Sequence, residues 1–190
     1  VVPAVRMVSL AGFLTIFAMF SVLIFVAVWL QQTSLTGPVK SGLLLSIPGL
    51  VGIFVAPVAG LLGDKVGDFW VVTGGIVVFA AGVLGLLALP NMVSVYPPLL
   101  LLVGIGVACM MTNVGAMALS LRPDLRQAIS GVFNGSRFFG VLLAPLVLTP
   151  VYEAVSIRGV LLVIILASIA VGLVLRLAGL GTDQTQSQAH

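Results

Sequence analysis

Ser130, Asn134 and Arg137 stand at spacings i, i+4 and i+7 in an otherwise apolar run, so a helix places all three on one face. A hydroxyl, an amide and a guanidinium in line form a polar stripe, and the guanidinium can grip a carboxylate with two parallel N–H donors. Thr112 with Asn113, and Ser46 beside Pro48-Gly49, are further polar groups inside apolar stretches. The other concentration of chemistry is GLLGDKVGD, Gly60 to Asp68. There Asp64, Lys65 and Asp68 put three of the chain's thirteen charged side chains into five consecutive positions.

Nucleophilic and metal chemistry have no comparable foothold. The single histidine, His190, is in the tail, and the single cysteine, Cys109, lies in an apolar segment, which excludes a disulfide framework and a cysteine metal site. No segment pairs a nucleophile with a histidine, so neither an enzyme nor a metal or other cofactor is expected. Asp64, Asp68, Asp124, Glu153 and Asp183 all fall in connections or tail, so no titrating carboxylate is expected in mid-membrane. A net charge of +3 and a pI near 9.6 could accompany nucleic-acid binding, but eight scattered Lys and Arg make no patch, so no nucleic-acid partner is expected.

The elements that position these groups follow from hydropathy. With 61% apolar residues, 7% charged and a mean hydropathy of +1.31, the chain cannot clothe a water-facing surface, and lipid is the solvent that fits. Six segments have roughly the 20 residues needed to cross a hydrocarbon core of about 30 Å. They are read as 7–30, 41–63, 69–90, 98–121, 128–151 and 159–177, in an all-α polytopic membrane helical bundle. Gly37-Pro38, Pro90-Asn91, Pro97-Pro98, Arg122-Pro123-Asp124 and the stretch Glu153 to Arg158 punctuate it. The polar tail 181–190 is expected to be disordered. The first segment is too long for a signal peptide and lacks a cleavage pattern, so it counts as a span. The chain begins at Val1 rather than Met, and further sequence upstream is expected.

Alternate connections carry unequal positive charge. Arg6, Lys65, Arg122, Arg126 and Arg176 fall on one side, Lys40 and Arg158 on the other, which makes the first side cytoplasmic with both termini there. If the fifth helix enters the membrane near Ala128, Arg137 lies about 14 Å deep by helical rise. An arginine there costs about 2.5–3.5 kcal/mol on insertion scales, so it must face protein or a wet cavity. It either clamps a neighbouring helix through carbonyls or lines a cavity for substrate. Asn113 needs partners across helices or in a cavity. Met110, Met111 and Met117 show no periodic stripe and read as ordinary packing residues.

Small residues recur every fourth position at Gly52, Ala56 and Gly60, at Gly104, Ala108 and Thr112, and at Gly131 and Gly135, a pattern that lets helix backbones approach closely. Pro48, Pro57 and Pro145 bend their helices. Ser41-Gly42 leading to Ala56-Pro57 is echoed by Ser130-Gly131 leading to Ala144-Pro145, pairing helix two with helix five as a 3+3 duplication would.

With the loop quoted above, the chain resembles the major facilitator superfamily of secondary transporters. That family's signature between the second and third helices of a six-helix half reads G-x-L-A-D-R/K-x-G-R/K-R/K. Gly60, Leu62, Asp64, Lys65 and Gly67 match it, Gly63 replaces the Ala, and Asp68-Phe69 replace the two terminal basic residues. The fifth segment, with Gly131, Asn134, Arg137 and Gly140, is similar to the penultimate helix of drug-efflux members. The weakened end of the loop signature and the missing acidic residue in the first helix and arginine in the fourth imply the C-terminal half, six helices of a major-facilitator fold. Its partners would be the lipid bilayer, an N-terminal six-helix half of the same protein and a small-molecule substrate.

The resemblance implies alternating access, with Asp64 bridging to the other half as a latch shaped by Gly60, Gly63, Lys65 and Gly67. It places Arg137, Asn134, Ser130, Asn113, Thr112 and Ser46 at the substrate cavity. Hydrophobic or amphiphilic cargo, efflux and antiport in the cell (inner) membrane are the expectation. An organic-anion permease using Arg137 and a stand-alone six-helix module without transport activity stay open beside it.

Overall fold

A computed structural model describes residues 2–33 and 36–179, so the expectation for the tail 181–190 lies outside the described residues. Among the described residues the chain is all-α: α1 (Val2–Gln32), α2 (Pro38–Val66), α3 (Asp68–Ala88), α4 (Tyr96–Ser120) and α5 (Arg126–Leu177). All five are long and apolar enough to cross a membrane. At 52 residues α5 would span about 78 Å as one rod, more than twice a hydrocarbon core. It breaks at Ser156, whose φ of 66° and ψ of −170° are not helical. Its two arms, residues 126–155 and 157–177, complete the membrane helical bundle of six crossings.

Sequence sets the ends of these helices. Proline opens α2 and α4, where its fixed φ is already helical and its missing N–H is no loss. The run Gly60 to Asp68 is mostly helix rather than loop. Despite Gly60 and Gly63, α2 continues through Asp64 and Lys65, and its Gly63 carbonyl accepts the Gly67 N–H at 2.9 Å. The reversal into α3 falls on Gly67, at φ 94°, a conformation open to glycine and strained for other residues. The expected connection at Glu153 to Arg158 likewise shrinks to one non-helical residue, Ser156.

The core is built around α1 and α4. Val8, Val22, Phe25 and Leu30 of α1 and Leu100, Val103, Met110 and Val114 of α4 are almost wholly buried. α1 packs along α5, and α4 packs along both α2 and α3. Glycine permits these approaches. A Cβ on Gly140 would lie 2.7 Å from the Phe13 carbonyl oxygen, and one on Gly104 would lie 2.8 Å from Pro48 Cα. Gly75 and Gly106 bring α3 and α4 together in the same way. Gly60 rests on Thr112 within the expected small-residue rows, whereas Gly52, Gly131 and Gly135 have open space beside them. Periodicity marks which glycines share a face but not whether a helix covers it.

At the end of the bundle opposite Asp64, Trp29 Nε1 and Tyr96 Oη both donate to the Pro90 carbonyl, at 3.2 and 2.8 Å. Tyr152 Oη donates to Gln32 Oε1 at 2.5 Å. Amphipathic aromatics suit a level where hydrocarbon gives way to water.

Candidate functional site

The first arm of α5 carries its polar stripe as a chain of hydrogen bonds. Asn134 Nδ2 donates to Ser130 Oγ at 3.2 Å, and Arg137 Nη1 donates to Asn134 Oδ1 at 3.1 Å. The guanidinium also lies over the Phe133 ring, 5.5 Å from its centroid, within reach of a cation–π attraction. Its Nε is buried with no acceptor. Among the described residues the salt bridge is Arg122 with Asp124 at 2.6 Å, on the surface, so no carboxylate neutralises Arg137.

Arg137 and Asn134 open into a cavity of about 260 Å³ between α5, α1 and α4. Ile16, Met19 and Phe20 of α1, Met111 of α4, and Phe138 and Val141 of α5 complete its wall. An apolar chamber with a guanidinium at one side can take up an apolar body and an anionic or hydrogen-bond-accepting head. Of the three methionines, Met111 lines this chamber, while Met110 and Met117 are core.

The other candidate residues gather elsewhere. Asn113 is fully buried between α4 and α2, and its Nδ2 donates to Ala59 O of α2 at 3.2 Å and to Cys109 O at 2.9 Å. Thr112 packs its methyl against Gly60, and Ser46 is exposed, its hydroxyl donating to Leu43 O at 2.8 Å. Ser130, Asn134 and Arg137 therefore form one cluster, and Asn113 joins a second around Gly63. Spacing along one helix groups the first three; the direction of Asn113 depends on where α2 lies.

In the second cluster Asp64 and Lys65 are exposed in the last turn of α2. A carboxylate there opposes the helix dipole, and Asp64 has no salt-bridge partner among the described residues. Asp68 opens α3 and makes no capping bond; the cap position is Gly67. Asp68 is half-buried in the first turn of α3, beside the Gly67 reversal. Burial, and secondarily the charge of Asp64, push its carboxyl above the usual range. Both the Asp68 carboxylate and the Asn113 amide oxygen crowd the face of Gly63, where any side chain would overlap them.

Two features escape sequence reading. Ser136 donates from α5 to the Ser9 carbonyl of α1 at 3.0 Å, a bond between residues 127 positions apart. A second cavity of about 460 Å³ opens between α1 and α5 near Phe25, Trp29, Tyr152 and Glu153. The signal for the latter was the pair of aromatics at two helix ends.

In comparison with known proteins, residues 8–189 match the family model of the Major Facilitator Superfamily. No curated protein matches the chain.

Proposed function

This chain belongs to the Major Facilitator Superfamily, whose members are secondary transporters and integral membrane proteins rather than enzymes, and from that premise we propose that it moves small amphiphilic molecules outward by alternating access. The observation that carries this reading is the chamber around Arg137, walled by aliphatic, methionine and aromatic side chains. Such a wall accepts varied apolar bodies because methionine adapts its shape. We take the chain as the C-terminal half, with an N-terminal half seated on α2 and the first arm of α5. In support, Ile53, Phe54, Phe138 and Leu142 there are largely exposed, and Gly131 and Gly135 face open space.

In this reading the Asp64 end is cytoplasmic and the membrane is the cell (inner) membrane. Asp64 is the latch: a carboxylate at the wrong end of a helix dipole gains by pairing with the other half and loses that partner as the transporter changes its facing. Cells bearing the full-length gene should accumulate less of a fluorescent lipophilic cation than cells without it. Asp64→Asn at equal surface expression should restore accumulation. Unchanged accumulation with the intact gene would count against efflux of such molecules and move the organic-anion permease and the stand-alone module ahead.

One observation favours a second reading. Arg137 holds a buried Nε without an acceptor and has no carboxylate partner among the described residues, which fits an organic-anion permease in which the substrate's carboxylate completes the guanidinium.

A further inference from the structure

Asn113 presents an unsolved hydrogen-bond problem at the junction of α2, α3 and α4. Its Nδ2 is turned to two carbonyls, Ala59 O and Cys109 O, and this fixes the amide's orientation. Flipping it would set the amide oxygen against both carbonyls. Oδ1 therefore points to Gly63 and Asp68, fully buried and without a donor. A buried acceptor left unpaired costs about 1–3 kcal/mol, and native structures rarely leave one so.

The group on the same face of Gly63 is the Asp68 carboxyl, which when ionised offers only acceptors. Two acceptors that converge on the same side-chain-free face of Gly63 call for a hydrogen between them. We propose that Asp68 and Asn113 form a proton-binding site, in which the Asp68 carboxylate takes one proton from water and the resulting O–H donates to Asn113 Oδ1. Releasing the proton returns a negative charge next to Asp64, four positions earlier and on the other side of the Gly67 reversal. The charge state of the junction thus bears on the segment that ends α2.

The surrounding charges leave the proton unopposed. On α2 the near groups are Asp64, of the same sign, and Lys65, which is exposed. α4 carries the neutral Cys109 and, at the opposite end, Tyr96. α5 carries Arg126, Arg137, Glu153, Arg158 and Arg176, of which Arg176 shares the Asp68 end of the arm that meets α3 at Gly172. None of these forms a salt bridge with Asp68 among the described residues. Burial and Asp64 both favour the neutral acid.

Infrared difference spectra of the full-length protein in lipid, recorded as pH is stepped, read the carboxylic acid C=O stretch directly and need no substrate. A band belonging to Asp68 should titrate above the ordinary aspartate range. Asp68→Asn should remove it. Asp64→Asn should keep it but move its midpoint down, because a like charge is gone. A second reading comes from thermal unfolding. With the folded-state pKa raised, Asp68 supports the fold fully below its unfolded pKa, and that support is lost as pH rises through the folded value. The wild-type Tm should fall over that window while Asp68→Asn, whose amide still donates to Asn113, stays level. A band titrating at or below the ordinary value, a band that survives Asp68→Asn, or a response to sodium ions in place of pH would overturn the site. Neither the latch nor the substrate reading depends on the result.

Discussion

The seam between α2 and α4 and the seam between α1 and α5 use the same parts and end with opposite chemistry. In each, glycine brings two helices close, Gly104 against Pro48 in one and Gly140 against Phe13 in the other. In each, a polar side chain reaches a backbone carbonyl across the gap: Asn113 to Ala59 and Ser136 to Ser9. The α2–α4 seam is then left with a buried acceptor, Asn113 Oδ1, beside a carboxyl. The α1–α5 seam is left with a buried donor, Arg137 Nε, and no carboxylate. Small residues and carbonyl bonds hold a bundle together; the surplus group at each seam is the one that the proposed substrate and proton would satisfy.

That contrast breaks most visibly where backbone meets backbone. Gly140→Val must push α1 off α5, because its neighbours are the Phe13 carbonyl and the Phe17 amide, which cannot rotate away. A loss of about 3 kcal/mol is expected, and a smaller one for Gly63→Ala, whose nearest neighbours are side-chain oxygens of Asn113 and Asp68 rather than backbone. Unfolding of the two variants side by side in detergent checks the order.

Next comes the surplus donor. Arg137→Gln keeps a hydrogen-bonding side chain but loses the charge, and should weaken the apparent affinity for an amphiphilic carboxylate about ten- to hundredfold. The same change should leave thermal stability equal or higher, since a poorly compensated guanidinium no longer has to be held in the membrane. A transport assay with Tm measured on the same preparation separates the two effects; falling stability with unchanged affinity would assign Arg137 to clamping helices.

The smallest expected effect sharpens the comparison at the ends of the same two helices. α2 reverses at Gly67, φ 94°, and the first arm of α5 breaks at Ser156, φ 66°. Gly67 fills its position without strain, whereas Ser156 occupies a region that glycine alone adopts easily, at a cost of about 1–3 kcal/mol. Ser156→Gly should raise stability by on the order of 1 kcal/mol after the entropy that glycine adds to the unfolded chain. Gly67→Ala should lower it by about 1–2 kcal/mol. Calorimetry of both reads the sign.

Much of the first cluster was legible in the chain. Ser130, Asn134 and Arg137 lie one to two turns apart on a single helix, and helical geometry alone puts them in hydrogen-bonding reach. Asn113 was legible only as a group in need of partners. Asp68 was legible only as a charge in the run Gly60 to Asp68, and its carboxyl reaches the face of Gly63 beside Asn113 only once the chain has reversed at Gly67. The GxxxG pair Gly131 and Gly135 announced a close approach, but within this chain the approach falls on Gly140, one turn and a fraction further along.

Composition, periodicity and punctuation by themselves determined the solvent, the helices and the polar stripe on α5. Lipid leaves backbone groups no partner but their own helix, so apolar runs of this length have one outcome. The small-residue rows and the Gly60 to Asp68 signature likewise needed no neighbours to be recognised. Only tertiary structure decided which glycines are covered, that Met111 rather than Met110 lines the chamber, and that Asn113 turns its oxygen to Gly63 and Asp68. Those outcomes depend on contacts between helices separated by tens of residues, and a local pattern carries no record of the face on which its neighbour will settle.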